Sequence, residues 1–303
     1  MYYILLIIRS YKSFTFGIGL LGILVNFSNI YLYNNNYFEI LNNVHINLNI
    51  IAVFAYILSF SAFINNLNVK DKRNLIIFIT FTIFSLALLY VSNDMILFII
   101  TLTIYMILST IKVFTLNIKK YNKVTIAIIF CIFIIIISNI TLAQPHLLSR
   151  MLNPDAELSY MQDRLNSSKM IGSSDNISEM DADYYYMNFS NYSFIYLIEQ
   201  YGKVLGIVIV SLFTLLTIKA IFSYKAVKDE YGKLLIIGLG SFIFIQCLLN
   251  LFTILGIINI GLTTMPFITH DNASIIIYMM SISLILSVYG QKNFYKTDVV
   301  KCN

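Results

Sequence analysis

Eight apolar, nearly charge-free runs of about 20 residues leave this chain few ways to fold, because a helix of roughly that length crosses a bilayer core. The runs cover residues 14–33, 48–66, 74–92, 94–114, 124–143, 203–222, 233–258 and 274–291. Their backbone polar groups must be paired within each segment, which only a helix achieves without edges. The sequence therefore predicts one all-α polytopic membrane domain over residues 1–303 with eight transmembrane helices. Composition agrees: 58% of residues are hydrophobic and 12% charged, where soluble domains are nearer about 25% charged. Arg9 and Lys12 give the first run the flank of a signal peptide. Its apolar stretch is too long for one and no small-residue cleavage site follows, so it reads as a retained span.

Basic residues near span ends resist translocation and so set the orientation. With the amino terminus inside, sixteen of the twenty Lys and Arg residues fall on the cytoplasmic side, leaving Arg150, Arg164, Lys169 and Lys203 outside. Both termini are then cytoplasmic. Between spans 5 and 6, residues 144–191 form a large polar external loop with a net charge of −4. It reads as the single external region large enough to hold structure, and loops of this length are functional or disordered.

Several classes of function are excluded. The net charge of +5 is small and scattered between apolar runs, which argues against a nucleic-acid partner. Cys131, Cys247 and Cys302 fit neither a disulfide framework nor a zinc site, and His45, His146 and His270 are too dispersed for metal ligands. No nucleotide loop, hydrolase elbow or zinc-protease motif occurs. Proton pumps and respiratory proton channels need ionisable groups at mid-membrane. Here Asp94, Lys112, Glu199, Lys203 and Lys219 all map near span ends. The deepest polar pair, Gln246 and Asn250, lies one turn apart on the seventh span and suits either a bond to a neighbouring helix or a ligand. The abundance of Asn, Ile, Lys, Tyr and Phe has the look of AT-rich coding, which lowers the weight of any single Asn.

The last hundred residues carry a more specific order. Gly232-Lys-Leu-Leu-Ile-Ile-Gly238, Gln246-Cys-Leu-Leu-Asn250, Gly256 and Pro266-Phe267-Ile-Thr-His-Asp-Asn-Ala-Ser274 resemble, in register, the carboxyl-terminal signature of the FtsW/RodA/SpoVE proteins. These are the shape, elongation, division and sporulation (SEDS) family of cell-wall polymerases. Upstream, Glu199-Gln-Tyr-Gly202 is similar to the family's Glu-Glu-x-Gly after its large loop. Arg150-Met-Leu-Asn-Pro154 with Gln162 resembles the start of that loop, and Asp94 matches the aspartate of its Pro-Asp-x-Gly. The likeness covers roughly residues 90–290 and is strong from residue 190 onward. Residues 192–291 form its three-span block; five spans precede the loop where the family usually has seven.

The resemblance implies a location in the bacterial cytoplasmic membrane and a glycosyltransferase of peptidoglycan synthesis acting on an undecaprenyl-pyrophosphate-linked disaccharide. It also implies a single-span transpeptidase as partner and, for an active enzyme, a divalent metal. Arg150, Glu199, Gln246, Asn250, Pro266 and Ser274 are the positions it assigns to substrate binding, with Arg150 facing phosphate or serving as an interfacial anchor. The family's essential aspartate falls on Asn191, whose amide cannot take a proton from a sugar hydroxyl. Either the chain is a catalytically silent relative, or Asp181 or Asp183 substitutes, or the register shifts. Residue by residue there are plainer uses: Pro266 can set a turn, Asn272 or Ser274 can cap the last helix, and Gly232, Gly238 and Gly256 can be packing contacts. A small transporter or channel is the alternative of a different class.

Overall fold

Seven of the eight apolar runs are helices in the computed structural model, which describes residues 12–32, 37–40, 44–66, 72–92, 94–115, 156–173, 189–258, 263–269 and 271–291. The run at 124–143 lies outside the described residues, as do Arg150, Asp181 and Asp183. The helices are α1 (Lys12–Leu32), α2 (Leu48–Asn65), α3 (Lys72–Val91), α4 (Met95–Thr115), α5 (Ala156–Ser167), α6 (Phe189–Tyr201), α7 (Lys203–Phe222), α8 (Glu230–Ile254) and α9 (Asn272–Gly290). Among the described residues six of them, α2, α3, α4, α7, α8 and α9, are long and apolar enough to cross a membrane, and α1 adds the apolar stretch Phe16–Ile30. Their ends fall within a few residues of the runs. The largest shift is at α8, which begins at Glu230 because Asp229 caps it, accepting from Gly232 N at 3.0 Å.

α2 and α8 are the enclosed helices, and α4 and α9 pack against them. Tyr105 of α4 stacks on Phe60 of α2 at 3.9 Å between ring centres and shares a 3.1 Å hydrogen bond with Ser85 of α3. That bond gives a buried phenol a partner without opening the apolar core. α1 lies against α2 along Gly19 and Gly22; a Cβ on Gly22 would come within 3.0 Å of the Ala55 Cβ. Small residues allow this approach, which contributes dispersion where lipid offers no hydrophobic gain. α7 is the least covered span, with Ile207, Leu212 and Leu215 exposed along it.

At the end of the bundle that the Lys and Arg distribution assigns to the cytoplasm, Lys112 of α4 reaches Glu230 of α8 at 2.5 Å and Asn65 of α2 at 3.3 Å, tying three helices together. The Lys112 side chain is 8% exposed. Lys112→Met should therefore lower stability by about 1–3 kcal/mol by leaving Asn65 without its donor and releasing Glu230. Thermal unfolding in detergent measures it, and an unchanged midpoint would sink the clamp.

Two outer segments depart from the sequence reading. The connection between α1 and α2 is not a plain turn: β1 (Tyr37–Ile40) pairs antiparallel with β2 (Val44–Asn47), from Tyr37 opposite Asn47 to Ile40 opposite Val44. Residues 144–191 are thus not the single external region with structure. Within that large loop, α5 forms a helix whose Met161 is buried against Tyr192, Ile195 and Ile198 of α6 and Ile254 of α8. α5 is packed, and with α6 and α8 it makes a small outer core of its own.

Candidate functional site at the outer face

The break between α6 and α7 anchors the large loop. Gly202 has φ 97° and ψ 162°, a conformation open essentially to glycine, and a Cβ there would stand 2.6 Å from the Met170 carbonyl oxygen. The first turn of α7 has amide N–H groups with no intrahelical acceptor. Lys203 N and Val204 N donate instead to the carbonyls of Lys169 and Met170, each at 3.1 Å, and Gly172 N donates to Tyr201 O at 3.3 Å. The loop segment after α5 is therefore a backbone cap on α7. Gly202→Ala should lower stability by about 2–3 kcal/mol through the backbone penalty alone. Denaturant unfolding in detergent reads this loss, and a wild-type midpoint would show that the break can relax.

Above that break, Arg164 of α5 faces Glu199 of α6 at 3.6 Å, with Glu199 only 1% exposed. The same guanidinium donates to the Tyr160 hydroxyl at 2.8 Å and lies 4.9 Å from that ring's centre. A charge this buried needs a partner, so Glu199 holds the loop helix in place. Gln162, on α5, lies against Gly256, whose φ is 72°; a Cβ there would meet Gln162 Nε2 at 3.0 Å.

The outer end of α8 carries the polar pair singled out in the sequence. Gln246 and Asn250 are both buried, and Asn250 Nδ2 donates to the carbonyl of Thr263. Gln246 Oε1, Asn250 Oδ1 and Thr263 Oγ1 have no partner among the described residues. Two amide oxygens without donors, beside a hydroxyl without a partner, form a site that suits a ligand's hydroxyl or amide N–H groups. Pro266 occupies the second position of a tight turn closed by Ile268 N to Met265 O at 3.2 Å. Phe267 takes the following position at φ 66°, an uncommon choice for a bulky residue, and is stacked on Phe213 of α7 at 5.4 Å. Pro266 thus turns the loop, as its plainer use suggested.

The cap of α9 is Asp271 rather than Asn272 or Ser274. Its carboxylate accepts from Ala273 N at 3.3 Å, from Ser274 N at 3.2 Å and from the Ser274 hydroxyl. An ionisable acceptor satisfies several first-turn donors and favours the positive helix end, which an Asn or Ser does less well. Ser274 is accordingly engaged in the cap. Asp94, at the start of α4, accepts from Asn49 Nδ2 and from Leu97 N, each at 3.2 Å.

The structure thus brings Glu199 together with Arg164, which the sequence reading had not singled out, and Gln246 with Asn250 and Thr263. Asn191 lies in the first turn of α6. Among the described residues no three His, Cys, Asp or Glu side chains converge as metal ligands; Asp181 and Asp183 lie outside them.

Apolar spanning helices with a packed polar layer at one face define a multi-pass membrane protein. The chain belongs to the FtsW/RodA/SpoVE family of cell cycle proteins, whose sequence model matches residues 45–293. That match reaches further toward the amino terminus than the motifs alone. Over 99 residues, 33% of this chain and 27% of the relative, it is 28% identical to stage V sporulation protein E of Bacillus subtilis strain 168. Over 90 residues, 30% of this chain and 22% of the relative, it is 29% identical to the probable peptidoglycan glycosyltransferase FtsW of the same organism. The chain therefore aligns with about a quarter of the length of these curated relatives.

The fold is similar to that in a structure of a peptidoglycan synthase complex that coordinates polymerization and crosslinking. The TM-score is 0.69 at 14% identity, covering 94% of this chain and 83% of that one. It is also similar to a mutant of the rod shape determining protein RodA of Thermus thermophilus, with a TM-score of 0.61 at 14% identity over 94% of this chain and 81% of that one. The transporter alternative is set aside on the family match.

Proposed function

We propose that the chain serves bacterial cell-wall synthesis by binding the undecaprenyl-pyrophosphate-linked disaccharide at its outer face, as a catalytically silent relative of the peptidoglycan glycosyltransferases. The observation that carries the binding is the trio of unpaired buried oxygens on Gln246, Asn250 and Thr263. A sugar bearing hydroxyls and an acetamido N–H supplies donors to the two amide oxygens, and its hydroxyls can accept from Thr263. The silence rests on charge. At the family's aspartate position stands Asn191, and three outer carboxylates are already engaged: Glu199 with Arg164, Asp271 in the cap of α9, and Asp94 with Asn49 and Leu97. A carboxylate so held is a poor general base. Should the chain polymerise, Asp181 and Asp183 are the substitutes, and the divalent metal belongs to that case, as does Arg150 facing the pyrophosphate.

Binding is tested by titrating purified protein with the lipid-linked disaccharide. The double substitution Gln246→Leu with Asn250→Leu should weaken it about tenfold, two neutral hydrogen bonds each being worth about 0.5–1.5 kcal/mol. Equal affinity in both proteins would remove these residues from the site. A single-span crosslinking enzyme is the partner this reading supplies, drawn from the complex that shares the fold. Its recovery with the chain under mild detergent checks that part.

A further inference from the structure

The seam between α1 and α2 carries polarity that packing does not use. Gly19, Gly22, Asn26 and Asn29 recur at intervals of three and four, and so share the face of α1 turned toward α2. Its inner half is closed. A Cβ on Gly19 would meet Phe81 at 2.8 Å and Ser59 Oγ at 3.0 Å, and the Tyr56 hydroxyl donates to the Gly22 carbonyl at 3.3 Å.

The outer half is built from amides instead. Asn29 Nδ2 donates to Asn49 Oδ1 at 2.8 Å, and Asn49 Nδ2 donates to Asp94 Oδ2 at 3.2 Å. The carboxylate fixes the direction of this relay: as an acceptor it takes the Asn49 nitrogen, so the Asn49 oxygen must take the Asn29 nitrogen. Asn29 Oδ1 is left over. One turn deeper, neither Asn26 Oδ1 nor Asn26 Nδ2 has a partner among the described residues. Asn26 is 0% exposed and Asn29 2%. The antiparallel register that sets Gly22 by Ala55 and Asn29 by Asn49 leaves Asn26 facing the stretch around Ala52, which offers no polar side chain. Asn26 sits about 9 Å below the outer end of α1 at 1.5 Å per residue. A buried amide open at both atoms is unfavourable there, and an apolar residue of the same shape would pack better.

We propose that the outer half of the α1–α2 seam is a second polar site, closed in this structure, which opens to take the hydroxyl- or amide-bearing headgroup of an outer-leaflet lipid. Asn26 Oδ1 and Asn29 Oδ1 accept from the headgroup, and Asn26 Nδ2 donates back to it. The tight Gly19 and Gly22 contacts act as the hinge. The opposite face of α1 shows how the helix can move: Leu21, Leu24 and Phe27 are 61%, 62% and 55% exposed, so no protein element on that side blocks an outward tilt, whose cost is the α1–α2 packing of the outer half. That geometry favours a lipid over a soluble polyol, because the seam opens sideways into the leaflet. Asn26 and Asn29 precede residue 45, where the family match begins, while Asn49 and Asp94 of the same relay lie within it. The site does not depend on the proposed glycan binding at α8.

The test uses the full chain with Cys131, Cys247 and Cys302 replaced by Ser and Asn26→Cys introduced, reconstituted in phosphatidylcholine vesicles. A water-soluble thiol reagent should label position 26, and either a glucosyl-diacylglycerol or phosphatidylglycerol should slow labelling by about fivefold or more. Slowing by the glycolipid alone assigns a sugar headgroup; slowing by phosphatidylglycerol alone, or by both, assigns a simpler diol. Absence of labelling, or a rate that neither lipid changes, overturns the proposal. Asn26→Leu in the otherwise native chain provides the independent check. It should raise the unfolding temperature in phosphatidylcholine and abolish any further rise on adding the protecting lipid. A fall in unfolding temperature would mean that Asn26 is already satisfied, and the site would be lost with it.

Discussion

Replacing Asn191 by Asp in the purified protein should yield glycan where the unmodified chain is expected to yield none. The reaction at issue joins a sugar hydroxyl to an anomeric carbon, and the hydroxyl must give up its proton as the bond forms. A carboxylate can take that proton; an amide cannot, since its nitrogen is not basic and its oxygen only accepts a hydrogen bond. Positioned general bases contribute about 10²–10⁴-fold, enough to separate visible product from none. The position itself lies in the first turn of α6, two turns before the buried Glu199 that fixes the loop helix, so the backbone carrying it is held from below. The measurement is a gel of glycan ladders after incubation with the lipid-linked disaccharide and a divalent metal. Ladders from the variant alone would establish a silenced site. Ladders from the unmodified chain would overturn the silence and send attention to Asp181 and Asp183. If neither polymerises while both bind the disaccharide, the aspartate register is wrong and the binding reading stands.

What could be read in the sequence follows the length scale of each signal. A span is about 20 residues of one chemical character, so seven runs coincide with helices to within a few residues. The β1–β2 hairpin rests on two four-residue strands in a polar connection rich in Asn, too short for periodicity to register. α5 hides for a related reason: of its twelve residues only Ala156, Leu158, Tyr160, Met161 and Leu165 are apolar, and the last three form the narrow face that meets α6 and α8. Three capping residues stand side by side at 271, 272 and 274, and only geometry shows that the carboxylate collects the donors. Discounting asparagine in an AT-rich composition concealed the relay from Asn29 through Asn49 to Asp94, whose members are far apart in sequence. Gln246 and Asn250 were legible because they interrupt an otherwise apolar helix.

Arg164→Leu should destabilise the protein by about 3 kcal/mol, with the damage confined at first to the outer layer. Glu199 sets the size of the loss: it is 1% exposed and has the guanidinium 3.6 Å away. Removing the cation leaves a carboxylate in a desolvated place, and that penalty exceeds the modest net worth of the pair itself. Glu199→Gln should cost less, because it removes the buried charge and keeps a hydrogen-bond acceptor. The double substitution Arg164→Leu with Glu199→Leu should recover much of the loss, which distinguishes an uncompensated charge from a hole left by the arginine stem. Because Lys169 and Met170 supply the carbonyls that cap α7, loosening α5 should also expose residues 168–173 to protease before the spans unfold. Thermal midpoints of the three variants and the order of cleavage decide the matter. If Arg164→Leu and the double variant lose the same stability, the loop helix is held by Met161 and its apolar neighbours, and the ion pair only orients what packing has already placed.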